Sequence, residues 1–190
     1  MNREILFPTP IYLKMVENPQ KMNDYLFPLI KAWSKKDKSE KKTNVGGGWH
    51  SPTDMDKKKE YKPLTDELFT MQHEIFKDYG MEPKPGLGNM WANINYPGSY
   101  NLQHLHSNSQ WSGVYYVKVP ENSGRLFVED PRPGANIMMP RRVKEIPKAL
   151  RRIVAYPPRE GQMIMFPAWL SHGVEMNESK EKGEKGWRIS

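Results

Sequence analysis

From Asn89 onward, Pro, Gly or Asn interrupts this chain too often to leave room for a long helix, and the stretches between them are short. Several alternate apolar with polar residues, which suits strands whose successive side chains point to opposite faces. The spacing predicts strands over 90–95, 112–119, 125–129, 152–156, 162–166, 173–175 and 187–190. Many short strands separated by regular turn signals lead to an all-β sandwich or barrel.

Upstream of Asn89 the period changes. Met22, Tyr25, Leu26, Leu29, Ile30 and Trp33 recur at helical spacing over 21–34, with Pro28 expected to kink or shorten the helix. A second helix fits 63–79, with Pro63 in its first turn and Gly80 at its C-cap. Ile5 to Tyr12 reads as an extended edge segment, because Pro8 and Pro10 exclude a helix interior. Gly46, Gly47 and Gly48, followed by Trp49 and His50, read as a flexible loop. A chain of 190 residues suits one domain, with 1–88 supplying an edge strand and packing helices and 89–190 the β core. The last strand breaks off at Ser190, as in a truncated chain.

Composition narrows the chemistry. Hydrophobic residues make up 37%, but six Trp and nine Tyr provide large rings for a core, which argues against disorder. There is no Cys, so any metal must be held by His, carboxylate, carbonyl or water. No apolar run approaches a membrane span and no signal peptide opens the chain, so a cytoplasmic protein is expected, in the host cytoplasm if phage-encoded. The net charge is +7, concentrated in Lys-rich 31–62 and in 141–152, where Arg141, Arg142, Arg151 and Arg152 cluster. With no nucleic-acid motif beside them, these patches read as solvated surface, and nucleic acid is not an expected partner.

Three of the five histidines occupy informative places. His104 and His106 stand two apart in an extended segment, so both imidazoles can face one point. His172 follows another predicted strand. Three ligands from two strands make a facial metal site that leaves further coordination positions open. Arg188 and Ser190 share a strand face and suit a ligand carboxylate, and Tyr116 can donate its hydroxyl to the same group. Asn93 or Asn95, on one face with Trp91, can contact a co-substrate or a histidine, or make edge hydrogen bonds instead. Surface placement is expected for His50, a structural role for His73, and packing or a substrate entrance for Trp49 and Trp169.

These blocks, in order, resemble a bacterial and phage family within the 2-oxoglutarate/iron(II) oxygenases. The resemblance runs from Leu6-Phe7-Pro8-Thr9-Pro10-Ile11 through His104-Leu105-His106, Glu129-Asp130-Pro131-Arg132 and Phe166-Pro167-Ala168-Trp169-Leu170-Ser171-His172 to Arg188-Ile189-Ser190. It implies a double-stranded β-helix, or jelly-roll barrel, with iron(II) on His104, His106 and His172 and 2-oxoglutarate held by Arg188. It further implies hydroxylation of an unactivated C–H bond, with ascorbate as a reductant. The wider superfamily has His-x-Asp where this chain has His104-Leu105-His106, so one imidazole replaces a carboxylate. Asp130 is the nearest replacement carboxylate, although its place in a Pro-containing turn favours bonding to nearby backbone. Two other functions fit the same residues: a cupin-like three-His dioxygenase that does not use 2-oxoglutarate, and a catalytically silent jelly-roll. The primary substrate and the oligomeric state leave no signature in the residues.

Overall fold

The computed structural model describes residues 1–2, 4–37, 44–82, 84, 86–132, 134 and 144–190. Among the described residues, two α-helices and ten strands follow one another as β1 (Tyr12–Met15), α1 (Pro19–Lys36), β2 (Trp49–His50), α2 (Lys62–Asp78), β3 (Asn93–Asn95), β4 (Asn101–His104), β5 (Trp111–Tyr115), β6 (Leu126–Glu129), β7 (Ile153–Tyr156), β8 (Gln162–Pro167), β9 (His172–Val174) and β10 (Arg188–Ile189). One layer combines two three-stranded sheets, β1-β8-β5 and β10-β3-β2. Backbone bonds from Val117 and Lys118 to the Ile189 carbonyl, at 2.9 and 3.2 Å, join those sheets across the end of β5. The other layer is a four-stranded sheet, β4-β9-β6-β7. This is the β-rich jelly-roll arrangement expected, with one correction: the sheets do not close into a barrel. Strands of two to six residues are too short to wrap from one layer into the other.

Alternation along β8 explains why two layers and two helices pack on one another. Met163 and Met165 join Leu26 and Ile30 of α1 and Leu64, Met71 and Ile75 of α2 in one apolar cluster. Ile164 and Phe166, pointing the other way, meet Leu126 and Val128 of β6 between the sheets. Burying each such side chain contributes about 1.5–3 kcal/mol, so both faces of this layer are covered.

α1 continues through Pro28 rather than ending there. Pro28 is on the exposed side, so the carbonyl it leaves unpaired can bond to water. α2 ends as its sequence predicts. Gly80 adopts φ +65°, its N–H bonds the Lys77 carbonyl, and Met81 N–H bonds that of Phe76, the paired bonds of a Schellman cap.

The edge strand begins only at Tyr12, after both prolines, and Ile5, Leu6 and Phe7 are exposed. The glycine-rich loop is not loose. A Cβ on Gly46 would sit 2.5 Å from the Gly98 carbonyl oxygen, and one on Gly48 only 2.4 Å from that of Ile94. Both have positive φ and press backbone against backbone, which delivers β2 to the edge of β3. The Arg141 and Arg142 part of the basic patch lies outside the described residues, as do Lys41 and Lys42. Arg151 pairs with Glu145, and Arg152 with Glu129 at 2.8 Å.

Candidate metal centre and ligand cavity

Antiparallel register brings the first two imidazoles together. His104 at the end of β4 stands opposite His172 at the start of β9, with a bulge between Asn101 and His104. His106 lies beyond the strand end rather than on it, and its N–H is anchored to the Ala168 carbonyl at 3.1 Å. The expected i, i+2 geometry therefore holds only in outcome. Ring centroids are 4.3 Å apart for His104–His172 and 5.0 Å for each pair involving His106. One ligand nitrogen from each lies within 4.8 Å of the others, close enough for a single ion.

Two of the rings have a fixed tautomer. Nδ1–H of His104 donates to the Leu102 carbonyl at 2.7 Å, and that of His172 to the Leu170 carbonyl at 2.9 Å. Each Nε2 is thereby left as a lone pair for a metal. Burial, reinforced by His104 and His106, pushes His172 down to about 4, and burial with His104 also lowers His106. Neutral imidazoles are the form that binds metal. Among the described residues no hydrogen bond holds the His106 ring, which instead packs against Trp91 at 5.7 Å.

The three histidines open onto a cavity of about 780 Å³ that is also lined by Arg188, Tyr116, Asn93 and Ser190. Arg188 on β10 is 1% exposed, and its Nη1 donates to the carbonyls of Ser123 and Glu175. Its Nη2 has no partner, and no carboxylate among the described residues pairs with it. Burial brings this guanidinium down to about 10, with Tyr116 nearby, so it stays charged at neutral pH. Burial likewise holds Tyr116 up at about 12, as a protonated donor. The Oδ1 of Asn93 is buried and unpartnered too. A lone-pair triad and an unpaired buried cation in one cavity fit a divalent metal together with an anionic chelator.

Other expectations sort themselves by contact. His50 is not on the surface. It is 8% exposed, stacks on Trp91 at 5.4 Å and lines the cavity, because its strand pairs with β3. Sequence reading missed this His50–Trp91–His106 row, although Trp91 two residues before Asn93 was a signal for it. Trp49 packs on Trp33 and bonds Asp37 at 2.9 Å, and Trp169 is exposed. His73 is an exposed helix residue bonded to the Phe69 carbonyl. Asp130 bonds the backbone and side chain of Arg132 and is no part of the triad.

A two-layered β fold with a histidine triad facing an unpaired arginine defines a non-haem metalloenzyme class, and comparison with known proteins narrows it. The model of a family described as "Putative 2OG-Fe(II) oxygenase" matches residues 89–185, half of the chain, spanning all three histidines and ending before Arg188. The chain belongs to this family of 2-oxoglutarate/iron(II) oxygenases, and membership implies iron(II) and 2-oxoglutarate. In fold it is similar to a prolyl-4-hydroxylase of Pseudomonas putida, with a TM-score of 0.60 at 11% identity, covering 94% of this chain and 88% of that one. No curated protein matches the chain. Among the described residues, no helix is long and apolar enough to cross a membrane.

Proposed function

We propose that residues 1–190 act as one oxygenase domain in which His104, His106 and His172 hold iron(II) and Arg188 binds the 5-carboxylate of 2-oxoglutarate. The reading rests above all on Arg188, a buried guanidinium whose Nη2 is unpartnered in the cavity that the three imidazoles share. A buried charge without a partner is costly, and a dianionic ligand would offset that cost. Tyr116 donates its hydroxyl to the same carboxylate, with Ser190 beside it, while Asn93 orients the chelating end. Carbonyl bonds to His104 and His172 keep both rings turned toward the metal. Phe166 and Val114 line the same cavity and present apolar surface to it.

Bound iron(II) supplies dioxygen activation, coupling the decarboxylation of 2-oxoglutarate to succinate and carbon dioxide with hydroxylation of a substrate C–H bond. Ascorbate serves to keep the metal ferrous, and the enzyme works in the cytoplasm. The likeness to a prolyl-4-hydroxylase supports hydroxylation as the reaction type and leaves the substrate open.

The test is an anaerobic titration of iron(II)-loaded protein with 2-oxoglutarate, followed by admission of air and assay of succinate. The expected result is a broad visible charge-transfer band that saturates with 2-oxoglutarate, then slow succinate release. A protein that binds iron but never develops the band would favour a three-His dioxygenase that binds its substrate directly to the metal.

A further inference from the structure

β4, which carries His104 and leads into His106, lies at the edge of the four-stranded sheet, with β9 as its strand neighbour there. Its ladder to β9 is interrupted. Asn101 pairs with Val174 and His104 with His172, three steps along β4 against two along β9, so one residue is bulged out between them. A bulge leaves its extra residue unpaired and loosens the ladder locally. β9 is held far better from its other side, in continuous register with Leu126, Phe127 and Val128 of β6. The Glu129 N–H extends that ladder to the Ser171 carbonyl at 3.0 Å.

A row of side chains backs the sheet at the level of the bulge. Gln103 and Ser171 each stand one place before a histidine of the triad, and neighbouring strand residues point to opposite faces, so both turn away from the cavity. Val128 packs between the sheets, so Glu129 shares that outer face. The Gln103 amide Nε2 donates to the Ser171 hydroxyl oxygen at 2.6 Å and to the Glu129 carboxylate. The other Glu129 oxygen accepts from Arg152 Nε at 2.9 Å, at the entry to β7. One line of polar groups therefore runs from β4 past β9 and β6 to β7. Exposed polar pairs of this kind add little to global stability, so the meaning of the row lies in its position.

We propose that Gln103, acting through Ser171 and Glu129, is a positioning residue for the metal, a role that rests on the metal reading above. Its tie to β9 and β6 stands in for the ladder lost at the bulge and sets how far His104 lies from His172. Ligands held on a strand that can slide bind metal less well than ligands fixed in place.

The experiment uses the whole chain with metal alone as the probe. Manganese(II) is titrated by calorimetry, and the visible ligand-field bands of bound cobalt(II) report how its ligands are arranged. Gln103→Leu is expected to weaken manganese(II) about tenfold, the low end for losing an outer partner of a metal site, and to shift the cobalt bands. Arg125→Met removes the Arg125–Glu175 pair at the other end of β6 and β9, where the ladder is regular, and should leave both readouts unchanged. Exchanging the two partners, Gln103→Glu with Glu129→Gln, keeps the net charge and turns donor and acceptor around, so affinity and bands should stay close to wild type. Wild-type affinity and bands in Gln103→Leu would overturn the inference. So would an equal loss in Arg125→Met, or a loss in the exchanged pair as large as in Gln103→Leu. A wild type that binds neither metal would instead strike the metal site itself.

Discussion

Replacing Arg188 by Met separates what this residue does for folding from what it does for binding. The guanidinium is 1% exposed, and burial brings it from 12.5 to about 10. A lowered pKa on a base means that the charged form is disfavoured in the folded state. The penalty is present at every pH below about 10, and its size is about 3 kcal/mol. Met fills much of the same volume without the charge, but it forfeits the bond from Nη1 to the Ser123 carbonyl and the longer one, at 3.4 Å, to that of Glu175. A hydrogen bond to a charged group contributes roughly 1.5–3 kcal/mol. The two effects nearly cancel, so Arg188→Met should melt within a few degrees of wild type or above it. Binding should behave quite differently. Truncating one partner of a buried charge pair costs about 2–5 kcal/mol, so the 2-oxoglutarate Kd should rise roughly 30- to 5,000-fold. Differential scanning calorimetry reads the first quantity and anaerobic titration of the charge-transfer band the second, with iron affinity measured as a control. A Kd that stays within about threefold of wild type would refute the assignment of Arg188 to the co-substrate.

The other expectations concern the triad and the sheet beneath it. His104→Ala, His106→Ala and His172→Ala should each weaken manganese(II) binding by at least about 100-fold with the circular dichroism spectrum unchanged, because water replaces a directed imidazole poorly. Unchanged affinity in His106→Ala would return attention to Asp130. Trp91→Ala removes the ring against which His106 packs at 5.7 Å, so manganese(II) affinity should fall several-fold, whereas Trp91→Phe should largely restore it. Equal loss in both variants would mean that Trp91 serves the fold rather than the ring. Glu129 is held below the usual carboxylate range by Gln103 and then Arg152, and Glu175 by Arg125. A depressed carboxylate stabilises above its unfolded value and loses that contribution as pH falls through its folded one. The melting temperature should therefore drop below about pH 4.5, and less steeply in Glu129→Gln. Parallel pH profiles for the two proteins would show that this pair does not matter.

The fold class could be read from local chemistry because the deciding signals were short in range. Met163 and Met165 alternate with Ile164 and Phe166, and that pattern alone says that β8 is covered on both faces. Gly80 announces the end of α2 for an equally local reason, its positive φ. His104 and His106 were legible from their i, i+2 spacing and His172 from its place after a predicted strand, whereas the register that sets His104 opposite His172 was not. What could not be read was tertiary. Pro28 was expected to disturb α1, but its effect depends on which side of the helix faces water. His50 was placed on the surface because three glycines preceded it, whereas two of them, Gly46 and Gly48, fit tightly against Gly98 and Ile94. Closure into a barrel depends on how far each strand extends, and β10, for example, has only two residues.

That shortness gives β10 a mechanical meaning. Ile189 bonds Val117 and Lys118 on one side while its strand pairs with Ile94 and Asn95 of β3 on the other. It thus rivets β1-β8-β5 to β10-β3-β2. Its neighbour Arg188 points the opposite way, into the cavity. The rivet and the cavity-facing cation are adjacent residues on one backbone, so neither can shift alone. Tension placed on Arg188 is transmitted directly to the seam between the sheets, and any slackening of the seam displaces the guanidinium. An anion bound at Arg188 would therefore also gauge whether this layer is sewn shut.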